Sequence, residues 1–173
     1  MRLKKEPKTI QDFVKTLKTG EWKKMADQYF SRYIRLKYYD KKNKAVKCVT
    51  CGKWFHLNEV QAGHFVKRSA ISTRFDEENV YPQCQGCNIF QKGNYPAYSK
   101  FLIKNFGSER IINLLERGDT LAHATARDYA DTAMYYWQET NKLLLKNKLT
   151  QWWTTTQKEE KMLSQLFHLI NSK

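Results

Sequence analysis

Two Cys-x-x-Cys pairs constrain this chain more than any other feature: Cys48–Cys51 and Cys84–Cys87 contain all four of its cysteines. Thiolates two residues apart on a tight turn can each present sulfur to a tetrahedral Zn²⁺, and two such pairs complete its ligand shell. Two disulfides are the alternative in a secreted chain, but residues 1–10 are basic and polar and lack the apolar segment of a signal peptide. The pattern therefore predicts reduced cysteines that hold a structural zinc ion.

The net charge of the chain is strongly positive and unevenly distributed. The 173 residues carry a formal charge of +14, and residues 1–47 contain 15 Lys and Arg against 5 Asp and Glu. Such an excess attracts polyanions, because each phosphate that is neutralised releases condensed counterions. No apolar run reaches the length of about 18 residues that a membrane span needs. We therefore expect a soluble, cytoplasmic protein with nucleic acid as its partner and no membrane contact.

Helical periodicity dominates the chain outside the cysteine pairs. It predicts helices over Ile10–Leu17 with Gly20 as a stop, Glu21–Tyr39, Tyr98–Phe106, Ser108–Arg117 with Gly118 past its end, Thr125–Asn147, and a last helix around Trp152 and Trp153 that continues to Ile170. Short strands are expected near Trp54–Val60 and Ala62–Val66. The prediction is an α+β fold, mainly helical, in one compact domain: a basic N-terminal helical region (1–47), a zinc-stabilised core (48–105) and a C-terminal helical region (106–173).

A histidine and two asparagines lie at defined distances from the cysteine pairs. His64 follows Cys51 by 13 residues, Asn79 precedes Cys84 by 5, and Asn88 directly follows Cys87. In order and spacing these residues resemble the His-Asn-His (HNH) nuclease motif, with Asn in place of the final histidine. The resemblance implies a small ββα-metal core, in which two strands and a helix hold a divalent ion.

Hydrolysis of a phosphodiester requires a group that deprotonates water and a cation that stabilises the leaving oxygen. His64 is the candidate general base, because imidazole titrates near neutral pH. Asn79 is predicted to hold the imidazole or the loop in register, and Asn88 to offer its amide oxygen to Mg²⁺ or Mn²⁺. Structural roles are the alternatives: a surface or zinc-shell histidine, a loop asparagine bonded to its own backbone, and a helix cap at Asn88.

Six basic residues are candidates for contacts with nucleic-acid phosphates. Four lie close in sequence to His64 or Asn88 and two lie on the predicted basic helix: Lys67, Arg68, Arg74, Lys92, Arg32 and Arg35. Their placement predicts that phosphates are held beside the site of cleavage. Solvated surface charge is the competing interpretation for each of them.

Longer stretches of the sequence resemble the phage NinG (Rap) family of recombination endonucleases. They are Gln61–Phe65, Arg74–Val80, Gln83–Asn88, Lys92–Asn94 with Tyr98, Phe30–Arg35 and Thr125–Leu144. The resemblance covers about residues 25–145. It implies a structure-selective endonuclease that cuts branched recombination intermediates such as Holliday junctions and D-loops, encoded by a phage or prophage and acting in the bacterial host cell. A symmetric homodimer is a reasonable expectation, since such an enzyme must cut two strands.

The sequence departs from the wider nuclease motif at one further position, and the departure removes an expected ligand of the catalytic ion. The residue before the base histidine is often an acidic ligand in that motif, but here it is Gly63. We expect His64, Asn88 and Glu77 around the ion, with Asp76 or Gln61 as other possible donors. The missing acid also supports the alternative function, a zinc-stabilised DNA-binding or adaptor module with a degenerate nuclease core.

Overall fold

The computed structural model describes residues 9–151, 153 and 157–171, and it confirms a mixed α+β architecture that is mainly helical. Within the described residues, the helices are α1 (Ile10–Val14), α2 (Thr19–Lys37), α3 (Tyr95–Phe106), α4 (Ser108–Asp119), α5 (Ala126–Asn147) and α6 (Gln157–Asn171). A short helical turn at Ile71–Thr73 lies in the loop between the strands that end at His64 and begin at Val80, and another, Gly86–Phe90, includes Cys87. No helix in these described ranges has both the length and the apolar character needed to cross a membrane.

Two small antiparallel sheets lie between the helices. The first contains β1 (Tyr39–Asp40), β2 (Ala45–Lys47) and β3 (Trp54–Phe55), and the second pairs β4 (Val60–His64) with β5 (Val80–Cys84). In the second sheet Val60 lies opposite Cys84, and His64 lies opposite Val80. The register therefore puts the second cysteine pair at one end of this two-stranded ribbon and His64 at the other.

Helix α2 supplies the centre of the main core, because its apolar side chains recur every three or four positions and so share one face. That face packs along α5. The buried side chains of the two helices include Trp22, Ala26, Phe30, Ile34, Ala130, Ala133 and Met134. Burying each large side chain contributes about 1.5–3 kcal/mol, so this pairing stabilises the fold strongly. Val80 of β5 belongs to the same core, which places α2 beside the two-stranded ribbon.

A second core holds the ribbon against α3 and α4. The hydroxyl of Tyr98, which is fully buried, donates to the carbonyl of Gly63 at 2.8 Å and accepts from the backbone N–H of Tyr81 at 3.0 Å. Phe65, Leu102 and Leu114 pack around it, with Val66, Ala70 and Tyr81. One buried tyrosine thus ties α3 to both strands immediately before His64.

Several predicted boundaries were wrong, and each error has a local cause. Gly20 lies inside the first turn of α2, where a backbone N–H has no helical partner to lose, and does not stop a helix. Gly118 lies inside α4, not past its end, and lacks the positive φ of a helix-terminating glycine. Packing explains the glycine, because an added Cβ would lie 2.5 Å from the Val66 side chain. Trp153 precedes α6, and Trp152 lies outside the described residues. The helix from Thr125 is confirmed, and Asp128 completes the capping box.

Candidate metal centre and adjoining cleft

The four cysteine sulfurs converge on one point. Their Sγ atoms all lie within 4.8 Å of one another, and Cys51 Sγ is 3.9 Å from Cys84 Sγ. A tetrahedral zinc ion with Zn–S bonds of about 2.3 Å has sulfur–sulfur edges of roughly 3.8 Å. The four thiols are free, whereas disulfide sulfurs would be bonded at about 2.05 Å. The cluster can therefore hold a metal ion such as zinc.

Local backbone geometry brings the two cysteine pairs together. The N–H of Gly52 donates to the carbonyl of Cys48 at 2.9 Å, and its positive φ of 73° closes the first turn. Cys84 ends β5, so the second pair begins where the strand stops. The N–H of Val49 donates to the carbonyl of Pro82 at 3.0 Å, which joins the first turn to that strand.

The surroundings of the thiols favour ionisation of one of them. Burial alone would raise the pKa of Cys48, but hydrogen bonds from the backbone of Cys51, the hydroxyl of Thr50 and the backbone of Cys84 outweigh burial and lower the pKa to about 6. At Cys84, burial and the neighbouring thiols raise the pKa instead. Four thiolates this close repel one another, so a divalent cation would remove the main cost of ionising them all.

His64 is half-buried at the end of β4, and its ring is held in one orientation. Nε2 lies 2.9 Å from the carbonyl oxygen of Arg74, and the Phe30 ring packs edge-on at a centroid distance of 6.3 Å. A carbonyl oxygen can only accept a hydrogen bond, so Nε2 carries the proton and Nδ1 keeps a lone pair. The contact therefore assigns the tautomer that leaves Nδ1 as the proton acceptor.

The environment keeps this imidazole neutral. Burial lowers the pKa of His64 below its usual value of 6.5, and the Arg74 carbonyl offsets part of that effect. The nearby charges of Arg68 and Arg74 lower the pKa further. The backbone of Ala62 also offsets part of the effect of burial. With its pKa lowered, the side chain is mainly neutral at pH 7 and can act as a base.

Asn79 closes the loop that leads away from His64. Its Oδ1 accepts from the N–H of Val66 at 2.6 Å, and its Nδ2 donates to the carbonyls of Val66 and Thr73 at 3.1 and 3.0 Å. The side chain is fully buried, so these bonds are shielded from water. Of the two roles predicted for Asn79, these contacts match the one that holds the loop, since both amide atoms bond to the backbone of Val66 or Thr73.

Arg74 connects this loop to helix α2. Its Nε and Nη2 donate to Oδ1 and Oδ2 of Asp27 at 2.9 and 2.6 Å, while its own carbonyl contacts His64. Arg68 adds a contact of 2.8 Å to Oδ2 of Asp27. Bidentate pairing with a carboxylate fixes a guanidinium in the plane of that carboxylate. Asp27 therefore helps to position His64 through Arg74.

Asn88 is half-buried in the turn after Cys87 and points toward β4. Its Nδ2 donates to Oε1 of Gln61 at 2.6 Å. Oδ1 accepts no hydrogen bond from the residues that the structure describes. The amide oxygen of Asn88 is thus oriented by Gln61 and available to a hard cation.

Gly63 has no room for the acidic residue that often precedes the base histidine. An added Cβ would lie 2.0 Å from Oε1 of Gln83, a fully buried side chain. Gln83 cannot easily move aside, because its Nε2 donates to the carbonyl of Gly93 at 2.8 Å. Packing against Gln83 therefore explains why a glycine, and not an acidic residue, precedes His64.

A cleft of about 310 Å³ brings the candidate residues together. Its lining residues are Asp27, Phe30, Ser31, Gln61, Ala62, His64, Arg68 and Asn88. Glu77, expected at the catalytic ion, is not among them. Its carboxylate accepts from Lys37 Nζ at 2.6 Å and from the Tyr33 hydroxyl at 2.9 Å. The Tyr136 hydroxyl on α5 donates to its other carboxylate oxygen at 3.4 Å, so Glu77 lies between α2 and α5 and the structure does not place it in this cleft.

A basic groove of about 500 Å³ opens beside the cleft and shares three of its residues, Asp27, Ser31 and Arg68. The other charged lining residues are Lys23, Lys24, Arg32, Arg35 and Arg74.

Arg32 is only 6% exposed and its guanidinium lies over the Tyr29 and Trp153 rings. Burial, and then the charge of Arg32, lower the pKa of Arg35 to about 10. Arg68 is the most exposed of the four arginines that line the groove.

Two of the six predicted phosphate contacts lie elsewhere. Lys67 and Lys92 are exposed but line neither the cleft nor the basic groove. Arg74 lines the groove, yet its side chain is 9% exposed and bound to Asp27. The structure therefore gathers Arg32, Arg35, Arg68 and Arg74 on one groove.

Comparison with known families gives the chain its affiliation. The family model described as "Bacteriophage Lambda NinG protein" matches residues 2–163, which is nearly the whole chain. The chain belongs to the NinG family. No solved structure matches it.

Three curated NinG proteins illustrate how far the similarity reaches. "Protein ninG" of Escherichia phage 933W is 33% identical over 93 residues, which cover 52% of this chain and 42% of the relative. The protein of Salmonella phage P22 is 34% identical over 89 residues, which cover 50% of this chain and 40% of the relative. That of Escherichia phage lambda is 32% identical over 93 residues, which cover 52% of this chain and 42% of the relative. The match thus spans less than half the length of these NinG relatives.

Asp27 is the residue of this NinG-family site that sequence reasoning missed. It lies 37 residues before His64, outside the spacing that links the cysteines, His64 and the two asparagines. The available signal was an acid in the middle of a helix whose other charged residues are mostly Lys and Arg. Such an isolated acid often marks a buried pair with arginine.

Proposed function

We propose that this protein is a divalent-metal-dependent DNA endonuclease that hydrolyses phosphodiester bonds in branched recombination intermediates such as Holliday junctions and D-loops. The observation that carries the proposal is the state of His64. Its neutral imidazole is fixed through Nε2 by the Arg74 carbonyl and lines a cleft with Asn88. Membership of the NinG family supports the resemblance from which the branched substrate is inferred.

In this proposal His64 Nδ1 takes a proton from a water molecule as the water oxygen attacks phosphorus. The bond to the leaving oxygen breaks on the opposite side, and that oxygen later acquires a proton from solvent. Nε2–H remains on the Arg74 carbonyl throughout, so the ring keeps its orientation while it gains positive charge. The imidazolium then returns its proton to water, which regenerates the base.

The chemistry of the donors fits a hard cation such as Mg²⁺ or Mn²⁺. The cleft contains the amide oxygens of Asn88 and Gln61 and the carboxylate of Asp27, all of them oxygen donors. Asn88 Oδ1 is the proposed direct ligand, because the oxygens of Gln61 and Asp27 already accept hydrogen bonds. Such an ion would polarise the scissile phosphate and stabilise the leaving oxygen.

The scaffold of the proposed enzyme is a ββα-metal core. The antiparallel ribbon of β4 and β5 and the turn Gly86–Phe90 would form its two strands and its helical element, with zinc on the four cysteines as the structural brace. Residues 1–47 and 106–173 would flank that core. The long α2–α5 packing argues for one folding unit and not three.

The basic groove is the proposed duplex-binding surface, with Arg68 and the lysines of α2 nearest to solvent. Phosphates bound there would lead the backbone into the cleft, because the two depressions share Arg68, Ser31 and Asp27. A homodimer would let both strands of a junction be cut, and light scattering that finds only monomer at micromolar concentration would count against it.

The proposal is tested by incubating the purified protein with a four-way junction, a D-loop and linear duplex in the presence of Mg²⁺ or Mn²⁺. An endonuclease nicks the branched substrates and stops when the divalent ion is chelated. The alternative, a zinc-stabilised DNA-binding or adaptor module, shifts the same substrates in a gel and leaves every strand intact. That alternative is favoured by the absence of an acid before His64.

A further inference from the structure

A third depression lies between α3 and the sheet that carries the first cysteine pair. Its volume is about 750 Å³, and it shares no lining residue with the cleft or the basic groove. The residues that matter here are Lys47, Trp54, Lys100 and Lys104. We call this depression the α3 groove. The mechanism proposed above makes no use of it.

The α3 groove carries a local excess of positive charge. Lys47, Lys100 and Lys104 are exposed, and none forms a salt bridge with the residues that the structure describes. Asp40 is the acid that lines the groove, and its single negative charge leaves the three lysines in excess. The uncompensated lysines therefore favour a ligand with several negative charges.

An exposed aromatic ring lies among these lysines. The indole of Trp54 on β3 is 44% exposed, and Lys47 Nζ lies 5.8 Å from its ring centroid. Large exposed aromatic rings beside lysines are the usual platform for single-stranded nucleic acid, because phosphates bind the cations while a base stacks on the ring. A paired base cannot stack in this way, since its neighbours in the duplex already cover both faces.

We propose that the α3 groove binds an unpaired, single-stranded DNA segment, with a base stacked on Trp54 and phosphates on Lys47, Lys100 and Lys104. The volume of the groove falls in the range of small-molecule sites, which suits one or two nucleotides and not a duplex. The inference rests on the proposed function in that both assume a DNA substrate. It adds that a displaced strand, such as that of a D-loop, is held at a site separate from the cleft.

Binding of a fluorescent oligothymidine of about 12 nucleotides to the full-length zinc-loaded protein, measured by anisotropy without Mg²⁺, tests the proposal. Trp54→Ala is expected to weaken binding roughly 5- to 100-fold, and Trp54→Phe to retain most of it. Lys100→Ala/Lys104→Ala should reduce the slope of log K against log salt by about 1.4, since each phosphate contact to a single strand contributes roughly 0.7. Trp54→Ala should leave that slope unchanged.

Lys15→Ala/Lys146→Ala is the matched control. Lys15 follows the last residue of α1 and Lys146 lies in α5; both are exposed, and neither lines the α3 groove. Unchanged zinc content and thermal unfolding establish that each variant is folded. Equal oligothymidine affinity in parent, Trp54→Ala and the α3-groove lysine variant would overturn the proposal. Since the assay requires no cleavage, its result is independent of whether the protein cuts DNA.

Discussion

His64 and Arg74 meet through a single contact of 2.9 Å between the imidazole Nε2 and the main-chain carbonyl oxygen. The same arginine sends its side chain to Asp27 on α2. One residue therefore couples the orientation of the imidazole to a helix that is distant in sequence. The catalytic proposal depends on this arrangement, because a proton on Nε2 leaves the lone pair of the neutral ring on Nδ1.

The pH dependence of cleavage should report the environment of His64. Burial, followed by the charges of Arg68 and Arg74, lowers its pKa below 6.5, so the neutral base is already dominant at pH 7. We expect the single-turnover rate to rise tenfold per unit at acid pH and to level off with an inflection below 6.5. An inflection well above 6.5 would contradict this assignment. One that moves when Mn²⁺ replaces Mg²⁺ would point to metal-bound water as the titrating group.

Asp27→Asn should destabilise the fold and slow cleavage together. The substitution removes the negative charge that pairs with Arg74 and Arg68 and leaves two guanidinium groups close together. We expect a loss of about 2 kcal/mol or more in the free energy of unfolding, measured by urea denaturation. Asp131→Asn removes an exposed pair with Arg127 and should cost at most about 0.5 kcal/mol. Equal effects of the two substitutions would refute the role of Asp27.

Gly63 and Gln83 should show strong energetic coupling. Gly63→Ala places a methyl group in the volume of the Gln83 amide and should cost about 1–3 kcal/mol. Gln83→Ala loses the bond to the Gly93 carbonyl but opens that volume. The double variant should therefore be less destabilised than the sum of the single variants by at least about 0.5 kcal/mol. Strict additivity in denaturant unfolding would show that the two side chains do not compete for space.

Cys84→Ser should release zinc and lower the unfolding temperature, because metal binding and folding are coupled in small thiolate sites. Metal analysis of the purified variant and a thermal scan with and without a chelator measure both effects. Thr50→Val tests a neighbour that contacts Cys48 Sγ without being a ligand, and it should retain zinc. A Cys84→Ser protein with full zinc content and an unchanged transition would exclude a four-cysteine zinc site.

Local sequence signals predicted those parts of the structure that depend on neighbours in the chain. The cysteine spacing anticipated the convergence of four sulfurs, and Thr125 with Asp128 anticipated the start of α5. Strand β5 was not predicted, because Pro82 lacks a donor and the strand is too short and too fully buried to alternate. Its pairing with β4 nevertheless decides where His64 lies.

Contacts between distant segments could not be derived from pattern alone. Glu77 looked as suitable a ligand as any acid in its loop, but Lys37, Tyr33 and Tyr136 hold it between α2 and α5. Asp27 lines the cleft because α2 packs across the ribbon of β4 and β5. Position 63 likewise has a glycine because the Gln83 side chain fills the adjoining space, a contact that no local pattern encodes.

The most direct test compares His64→Ala with His56→Ala, a matched control at an exposed histidine between β3 and β4. Both variants should fold, keep zinc and bind a four-way junction like the parent protein. His64→Ala is predicted to lose Mg²⁺- and Mn²⁺-dependent nicking by at least about 100-fold, the low end of what a general base contributes, while His56→Ala keeps it. Normal nicking by a folded His64→Ala protein would contradict the account.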